Sequence, residues 1–189
     1  MSRHRHPMPF GAQLTDDGRV RFRLWAPSAG PVTLEIDSDS GIALDRQEDG
    51  WYELVTSRAR VGSRYRYCID GQLRVPDPAS RFNPEDVHGS SVVVDPLEFE
   101  WDEGEWRGRP WHEAVVYELH TGTFSPEGTF KGIERKLDHL LELGVTVIEL
   151  MPIADFPGDR GWGYDGVLLY APDAGYGTPD ELKALIDTD

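Results

Sequence analysis

The chain has 189 residues, of which 39% are hydrophobic and 28% are charged, a composition typical of a folded globular protein. Its 34 Asp and Glu residues outnumber its 19 Lys and Arg residues, and the resulting net charge of −15 repels phosphate backbones, so we expect no nucleic-acid partner. No apolar run approaches the ~20 residues of a membrane helix, and the single cysteine, Cys68, cannot form an internal disulfide, so we expect a cytoplasmic protein with no membrane contact.

Residues 1–97 show the alternation of apolar and polar side chains that predicts half-buried β-strands. In the clearest run, Val20, Phe22 and Leu24 alternate with three arginines. Further strands are predicted at 32–36, 65–69 and 91–94.

Asp-Gly dipeptides separate these runs, and they lie at Asp17-Gly18, Asp49-Gly50 and Asp70-Gly71. Both residue types tolerate the positive φ that a tight hairpin requires, so each dipeptide predicts a turn between antiparallel strands. No helical periodicity interrupts the strands. We therefore predict that residues 1–97 form an immunoglobulin-like antiparallel β-sandwich.

Residues 98–110 are predicted to be an acidic linker, because their periodicity fits neither a helix nor a strand. The linker carries Trp101 and Trp106. Large rings seldom remain in water, so we expect both to anchor the linker to a domain surface, with sugar binding as the alternative.

The periodicity changes after residue 110. Residues 114–119 form a near-continuous apolar run, which is typical of a strand buried on both faces in a parallel sheet. A helix is predicted next, with Thr129 as its N-cap and Gly144 at its C-terminal cap. Its apolar face would consist of Phe130, Ile133, Leu137, Leu140 and Leu141.

A second buried strand is predicted at 145–152, and a capping box at Thr178 and Glu181 starts a second helix. This strand–helix–strand–helix order predicts a parallel βαβ unit. An eight-stranded α/β barrel takes ~250 residues. The predicted fold is therefore multi-domain, with the sandwich followed at 111–189 by the first two β/α units of an incomplete TIM barrel.

The connection at 152–177 is long for a loop between a strand and a helix, and long loops at this end of a barrel tend to be functional. Aromatic faces stack on the C–H surfaces of sugars, and carboxylates accept hydrogen bonds from hydroxyls, so the composition suits carbohydrate binding. A loop that packs its own rings is equally compatible. The residues concerned are Phe156, Trp162, Tyr164, Tyr170 and Tyr176, with Asp155, Asp159, Asp165 and Asp173.

Several segments resemble a known group of enzymes. Residues 116–124 (VYELHTGTF), 148–152 (IELMP) and 162–166 (WGYDG) resemble the opening barrel motifs of the α-amylase clan. Residues 22–27 (FRLWAP) resemble the N-terminal sandwich of its branching and debranching enzymes. Within the clan, residues 123–130 and 154–158 are most similar to the maltooligosyltrehalose trehalohydrolase family, and the resemblance runs from about residue 10 onward.

The resemblance implies the N-terminal part of a glycoside hydrolase that cleaves the α-1,4 bond next to the terminal trehalose unit of maltooligosyltrehalose. Its partner would be that substrate or a related α-glucan. No Cys/His spacing suggests a structural zinc and no glycine-rich phosphate loop is present, so we expect no cofactor and no metal. Carried over to matching positions, Tyr164 would stack on the sugar beside the cleaved bond, while Trp162 and Asp165 would shape the subsite. His120 could line the same pocket, although a structural hydrogen bond is the preferred interpretation.

The resemblance also implies that catalytic groups are missing from this chain. The family's aspartate nucleophile and glutamic acid proton donor follow later barrel strands, and neither has a counterpart here, so we assign no catalytic residue and expect the chain alone to be inactive. Glu118 and Glu149, inside the two predicted strands, could be imagined as a substitute pair. Packing within the barrel or a buried hydrogen bond is the preferred interpretation.

Three alternatives stay open from the sequence. The chain could belong to a glycogen branching or debranching enzyme, it could be a non-catalytic α-glucan-binding module, or it could be a truncated product with no role of its own. Two parallel strands without outer neighbours would have open edges, which invite self-association.

Overall fold

The computed structural model describes residues 8–37, 41–102 and 107–188. Short strands dominate its N-terminal half. They are β1 (Gly11–Leu14), β2 (Val20–Trp25), β3 (Val32–Ile36), β4 (Ile42–Ala43), β5 (Asp45–Arg46), β6 (Trp51–Thr56), β7 (Arg64–Ile69), β8 (Leu73–Val75) and β9 (Ser91–Val92).

These strands form two antiparallel sheets. One has the order β1-β2-β6-β5, and the other has the order β4-β3-β7-β8 with β9 also paired to β7. The predicted β-sandwich is therefore confirmed. The strand expected at 91–94 is shorter than predicted and covers only Ser91–Val92.

The Asp-Gly dipeptides form the predicted turns between β1 and β2, β5 and β6, and β7 and β8, which are all antiparallel pairs. At Gly50 the turn can accept only glycine. Its φ is +81°, and a Cβ there would lie 2.5 Å from the Cα of Pro27. The turn is therefore packed directly against the Trp-Ala-Pro segment that ends β2.

The sandwich core contains a buried polar group beside its apolar residues. Phe22 and Tyr65 are fully enclosed and make an edge-to-face contact, with ring centroids 4.8 Å apart. The Tyr65 hydroxyl donates a 2.7 Å hydrogen bond to Oδ2 of buried Asp77, and Oδ1 accepts from the Ala79 amide at 2.8 Å. Burial raises the pKa of the Asp77 carboxyl. These bonds hold the irregular chain between β8 and β9 against the core.

The described part of the predicted linker contains neither a helix nor a strand. Trp101 lies in edge-to-face contact with Phe99 of the same segment, with ring centroids 4.9 Å apart, and it remains 39% exposed, so the expected anchoring of this ring to a domain surface stays a prediction. Trp106 lies outside the described residues.

The C-terminal half begins with a 3-10 turn at Trp111–Glu113 and then alternates strands and helices. Its elements are β10 (Val116–Leu119), α1 (Thr121–Phe124), α2 (Phe130–Glu134), α3 (Leu137–Glu142), β11 (Val147–Leu150), β12 (Ala154–Asp155), β13 (Leu168–Pro172) and α4 (Pro179–Asp187). Strands β10 and β11 are parallel and in register from Val116 opposite Val147. The predicted βαβ start of a barrel is therefore confirmed.

The prediction of one continuous helix after β10 is wrong. Thr129 caps α2 as predicted, accepting a bond from the Gly132 amide, but Lys136 (φ −110°, ψ 3°) separates α2 from α3. The Lys136 amide bonds to the carbonyl of Ile133, only three residues back. The kink changes which side chains of α3 face the core. Leu141, which is predicted to lie on the buried apolar face, is exposed.

The prediction that β10 is buried on both faces is also wrong. Val116 and Tyr117 are exposed, and Leu119 alone of this strand is buried. Leu119 packs with Phe130 and Ile133 of α2, so the helices cover one side of the strand pair. Among the described residues, β10 and β11 pair only with each other, which leaves the outer hydrogen-bonding edge of each strand open.

The connection predicted as a loop at 152–177 contains a β-hairpin. Strands β12 and β13 are antiparallel, with Asp155 opposite Leu168, and the Asp173 amide bonds to the carbonyl of Ile153 at 2.8 Å. The capping box that follows is as predicted: the Thr178 side chain accepts from the Glu181 amide, and the Glu181 side chain accepts from the Thr178 amide. No helix in the described ranges is long and apolar enough to cross a membrane.

Candidate functional site

The hairpin of β12 and β13 carries all three predicted substrate-binding residues in its connecting loop. Trp162 is 72% exposed and Tyr164 is 69% exposed, and Asp165 is also exposed. Large rings that remain this exposed leave most of their surface available to a ligand.

The backbone between the two rings is fixed by a close contact. Gly163 is buried with φ +89°, and a Cβ at this position would overlap the carbonyl oxygen of Pro152, two residues after the end of β11. The loop is therefore pressed against the strand ends at a point that only glycine can occupy. Trp162 and Tyr164 flank this point and remain exposed.

His120 connects this loop to the end of β10. Its Nε2 lies 2.8 Å from the Gly161 carbonyl oxygen, so the tautomer with a proton on Nε2 donates to that carbonyl. Its ring also lies edge-to-face with Trp162, with centroids 6.3 Å apart. The expected structural hydrogen bond is present, and it places His120 beside the loop that carries the predicted subsite.

Buried aromatic rings form the floor beneath the loop. Tyr176 contacts His120, Phe130 and Phe156, with ring centroids 5.9, 6.2 and 5.8 Å apart. Phe156 and Tyr176 thus pack inside, whereas Trp162 and Tyr164 stay outside. Packing within the loop therefore accounts for Phe156 and Tyr176, whereas the sugar-binding interpretation remains open for Trp162 and Tyr164.

Tyr170 faces a different direction from the predicted subsite. Its ring contacts Phe10 edge-to-face at 5.5 Å, and the Arg81 guanidinium lies over it at 5.0 Å. Both partners belong to the N-terminal half. Tyr170 therefore joins the hairpin to the sandwich, a role that the sequence pattern did not indicate.

The four aspartates of the hairpin also divide into two groups. Asp159 and Asp165 are exposed, whereas Asp155 and Asp173 are buried at the base of the hairpin. Burial, followed by the nearby Asp173 and Asp86 carboxylates, raises the pKa of Asp155 to about 7. Sequence reasoning missed this pair, because the two residues are far apart in the chain and meet only through the hairpin.

Glu118 and Glu149 lie opposite each other on neighbouring strands, β10 and β11, which are spaced about 4.8 Å apart. Both side chains are exposed, so the expected packing of these residues inside a barrel is not found in this structure.

The described residues include no group of three or more His, Cys, Asp or Glu side chains arranged to hold a metal ion. The expectation that no metal or cofactor is needed stays a prediction.

Two family models match the chain. The alpha amylase catalytic domain matches residues 79–189, and carbohydrate-binding module 48, the isoamylase N-terminal domain, matches residues 9–97. The two matches overlap at 79–97, so the domain borders predicted at 97/98 and 110/111 stay predictions.

The chain is similar to several curated enzymes. The malto-oligosyltrehalose trehalohydrolase of Saccharolobus solfataricus is 47% identical over 180 residues, covering 95% of this chain and 32% of the relative. That of Deinococcus radiodurans is 44% identical, covering 96% and 29%. The 1,4-alpha-glucan branching enzyme GlgB of Frankia casuarinae is 35% identical, covering 95% and 24%. The chain thus spans about a third of the length of the trehalohydrolases that it matches.

Solved structures agree with these matches. A Salmonella typhimurium protein described as an alpha amylase has a TM-score of 0.93 and 49% identity, covering 97% of this chain and 31% of that one. The Group B Streptococcus pullulanase SAP in complex with maltotetraose has a TM-score of 0.78 at 23% identity, and this likeness shows the fold alone. Since the catalytic-domain model matches more than half of the residues, and the fold and its strand-end loop agree with that match, the chain belongs to the α-amylase family.

Proposed function

We propose that the chain supplies the opening part of a glycoside hydrolase that cleaves the α-1,4 bond beside the terminal trehalose unit of maltooligosyltrehalose and releases trehalose. The observation that carries this proposal is the exposed pair of rings, Trp162 and Tyr164. They lie on either side of Gly163, whose backbone packs against Pro152 at the strand ends of the barrel. Active sites of such barrels are built at this end.

The chemistry of the loop suits a neutral sugar. The faces of Tyr164 and Trp162 stack on the apolar C–H surface of a glucose ring, and the Asp165 carboxylate accepts hydrogen bonds from its hydroxyls. A stacking ring beside the cleaved bond stabilises the flattened, positively charged transition state more than the relaxed sugar, so its contribution appears in kcat/KM. Asp165 and the hydrogen-bonded His120 shape the rim of the same subsite.

The proposal assigns no catalytic residue to this chain. Hydrolysis with retention needs a nucleophile and a proton donor about 5–5.5 Å apart. Glu118 and Glu149 are neighbours, but they lie within the strands rather than in the loops at the strand ends. We propose that both catalytic carboxyls come from barrel segments that the relatives have beyond the matched third, and that the protein acts in the cytoplasm.

A branching or debranching enzyme is the second candidate, because the sandwich matches the isoamylase N-terminal domain. The trehalohydrolase proposal is preferred since two trehalohydrolases are 44–47% identical to the chain, against 35% for the branching enzyme. A role as a glucan-binding module would need only the exposed rings and no hydrolysis.

The products of a hybrid enzyme distinguish these candidates. In the hybrid, this chain replaces the matching third of the Saccharolobus solfataricus trehalohydrolase, and the substrate is maltooligosyltrehalose. Release of trehalose supports the proposal. New branch points, or glucan binding by a folded hybrid that releases no trehalose, would contradict it.

A further inference from the structure

Two buried carboxyl groups meet at the base of the hairpin that carries the candidate site. Asp155 is the last residue of β12 and is 2% exposed, and Asp173 directly follows β13 and is 5% exposed. The pair thus lies where the two strands come together, below the loop with Trp162 and Tyr164.

The hydrogen bonds of the two carboxyls differ. Asp173 accepts two backbone hydrogen bonds, from the Gly175 amide to Oδ1 at 2.8 Å and from the Phe156 amide to Oδ2 at 3.4 Å. Oδ2 of Asp155 is shielded from solvent, and no donor among the described residues reaches it. A buried ionised oxygen without a donor is costly, whereas a protonated one becomes a donor itself.

The charges that act on Asp155 are all negative. They come from Asp173 and from Asp86 of the N-terminal half, whose Oδ2 accepts from the Gly158 amide at 3.3 Å in the same hairpin. Asp173 in turn faces Asp86 and the Tyr176 phenol. Within the described ranges, no lysine or arginine is among the charges that act on Asp155, and the three carboxylates are not arranged as metal ligands.

We propose that Asp155 and Asp173 share one proton in mildly acidic solution, with the Asp155 carboxyl donating to the Asp173 carboxylate, and that this proton keeps the base of the hairpin closed. The proton remains on Asp155 because burial and the neighbouring Asp173 charge raise its pKa to about 7. Burial raises the pKa of the Asp173 carboxyl as well, but two backbone amides point at its oxygens and favour its ionised form over that of Asp155.

Loss of this proton would place two adjacent negative charges in a buried position. The bonds nearest to them are those that close the hairpin, from the Val167 amide to the Asp155 carbonyl and from the Asp173 amide to the Ile153 carbonyl, both 2.8 Å. We expect these bonds to open first. Asp155 and Asp173 are therefore positioning residues for the loop, whatever ligand that loop binds.

A carboxyl titration tests the shared proton directly. In the chain labelled with ¹³C at its aspartate carboxyls, we expect the Asp155 carboxyl to titrate near pH 7 while the exposed ones titrate below about pH 5. Asp155→Asn should remove the neutral titration, and the matched control Asp159→Asn, an exposed residue of the same hairpin, should retain it. If every aspartate of the unsubstituted chain titrated below about pH 5, the proposal would be overturned without reference to either variant.

Hydrogen exchange tests whether the proton holds the hairpin. After correction for the intrinsic pH dependence, protection of the Phe156 and Val167 amides should fall at least about tenfold between pH 6 and pH 8.5 in the unsubstituted chain and in Asp159→Asn. Asp155→Asn should keep its protection, because the amide side chain donates to Asp173 without titrating. An equal loss in Asp155→Asn would show that the proton does not act on the hairpin.

Discussion

Replacing Tyr65 with phenylalanine should destabilise the sandwich substantially, although the substitution removes a single oxygen atom. The Tyr65 hydroxyl donates a 2.7 Å hydrogen bond to Oδ2 of Asp77, and both residues are almost completely buried. The ring stays in place against Phe22, so the change creates almost no cavity and isolates the loss of this bond.

The size of the effect follows from what remains around Asp77. Its Oδ1 keeps the Ala79 amide at 2.8 Å, but Oδ2 would be left with the Tyr67 hydroxyl at 3.5 Å, which is a weak bond. A buried acceptor that is left without its hydrogen-bond partner costs about 1–3 kcal/mol, and the upper part of this range applies because Oδ2 of Asp77 is almost completely enclosed. We therefore expect Tyr65→Phe to lower the free energy of unfolding by about 2–3 kcal/mol.

Urea unfolding followed by far-UV circular dichroism measures this loss. The matched control is Tyr67→Phe, which removes the same atom from a neighbouring buried ring that has only the 3.5 Å contact, so its loss should stay below about 1 kcal/mol. Equal losses in the two variants, or no loss in Tyr65→Phe, would refute the reasoning that the short bond to Asp77 supports the fold.

Three further predictions concern the whole chain. The purified chain should release no trehalose from maltooligosyltrehalose; turnover that disappears in Glu118→Gln or Glu149→Gln would show that these glutamates form the catalytic pair after all. The pKa of Asp155 is about 7 in the folded chain, against an ordinary value of 3.8, so Asp155 binds more protons when folded. The free energy of unfolding should therefore fall as pH rises from about 4 to 7, by at most about 4 kcal/mol, and Asp155→Asn should flatten this decline in urea unfolding. Limited proteolysis should cut first within 95–110 or after 152 and leave a resistant sandwich, because the sandwich closes its own core whereas the strands at 111–189 have open edges, which also favour self-association; equal resistance of both halves in a monomeric sample would contradict this.

Local patterns were sufficient for the elements whose causes lie close together in the sequence. The two-residue alternation around Phe22, the Asp-Gly turns, and the capping box at Thr178 act within a few residues, and each was found where predicted. The resemblance singled out the segment at 162–166, and the structure leaves both of its rings exposed, although nothing in the pattern fixed their exposure. Their role in substrate binding stays a prediction.

Features that depend on distant contacts could not be predicted. The kink at Lys136 changes which face of α3 is buried, and periodicity alone cannot detect such a change. Strand β10 was expected to be covered on both sides, but coverage depends on neighbouring elements rather than on the strand's own apolar residues. Asp155 and Asp173 were included among possible sugar ligands, yet the pairing of β12 with β13 buries them together.

The most direct test of the proposed function is the effect of Tyr164→Ala on kcat/KM for trehalose release by the hybrid with the Saccharolobus solfataricus enzyme. We expect a fall of at least about tenfold, equivalent to about 1.4 kcal/mol of transition-state stabilisation, with little change in melting temperature, because the ring is exposed. Tyr170→Ala, which removes an equally large ring of the same hairpin that contacts the sandwich, should leave kcat/KM nearly unchanged in the folded fraction. An unchanged kcat/KM in Tyr164→Ala, together with a lowered melting temperature, would show that Tyr164 supports the loop and would contradict its proposed place beside the cleaved bond.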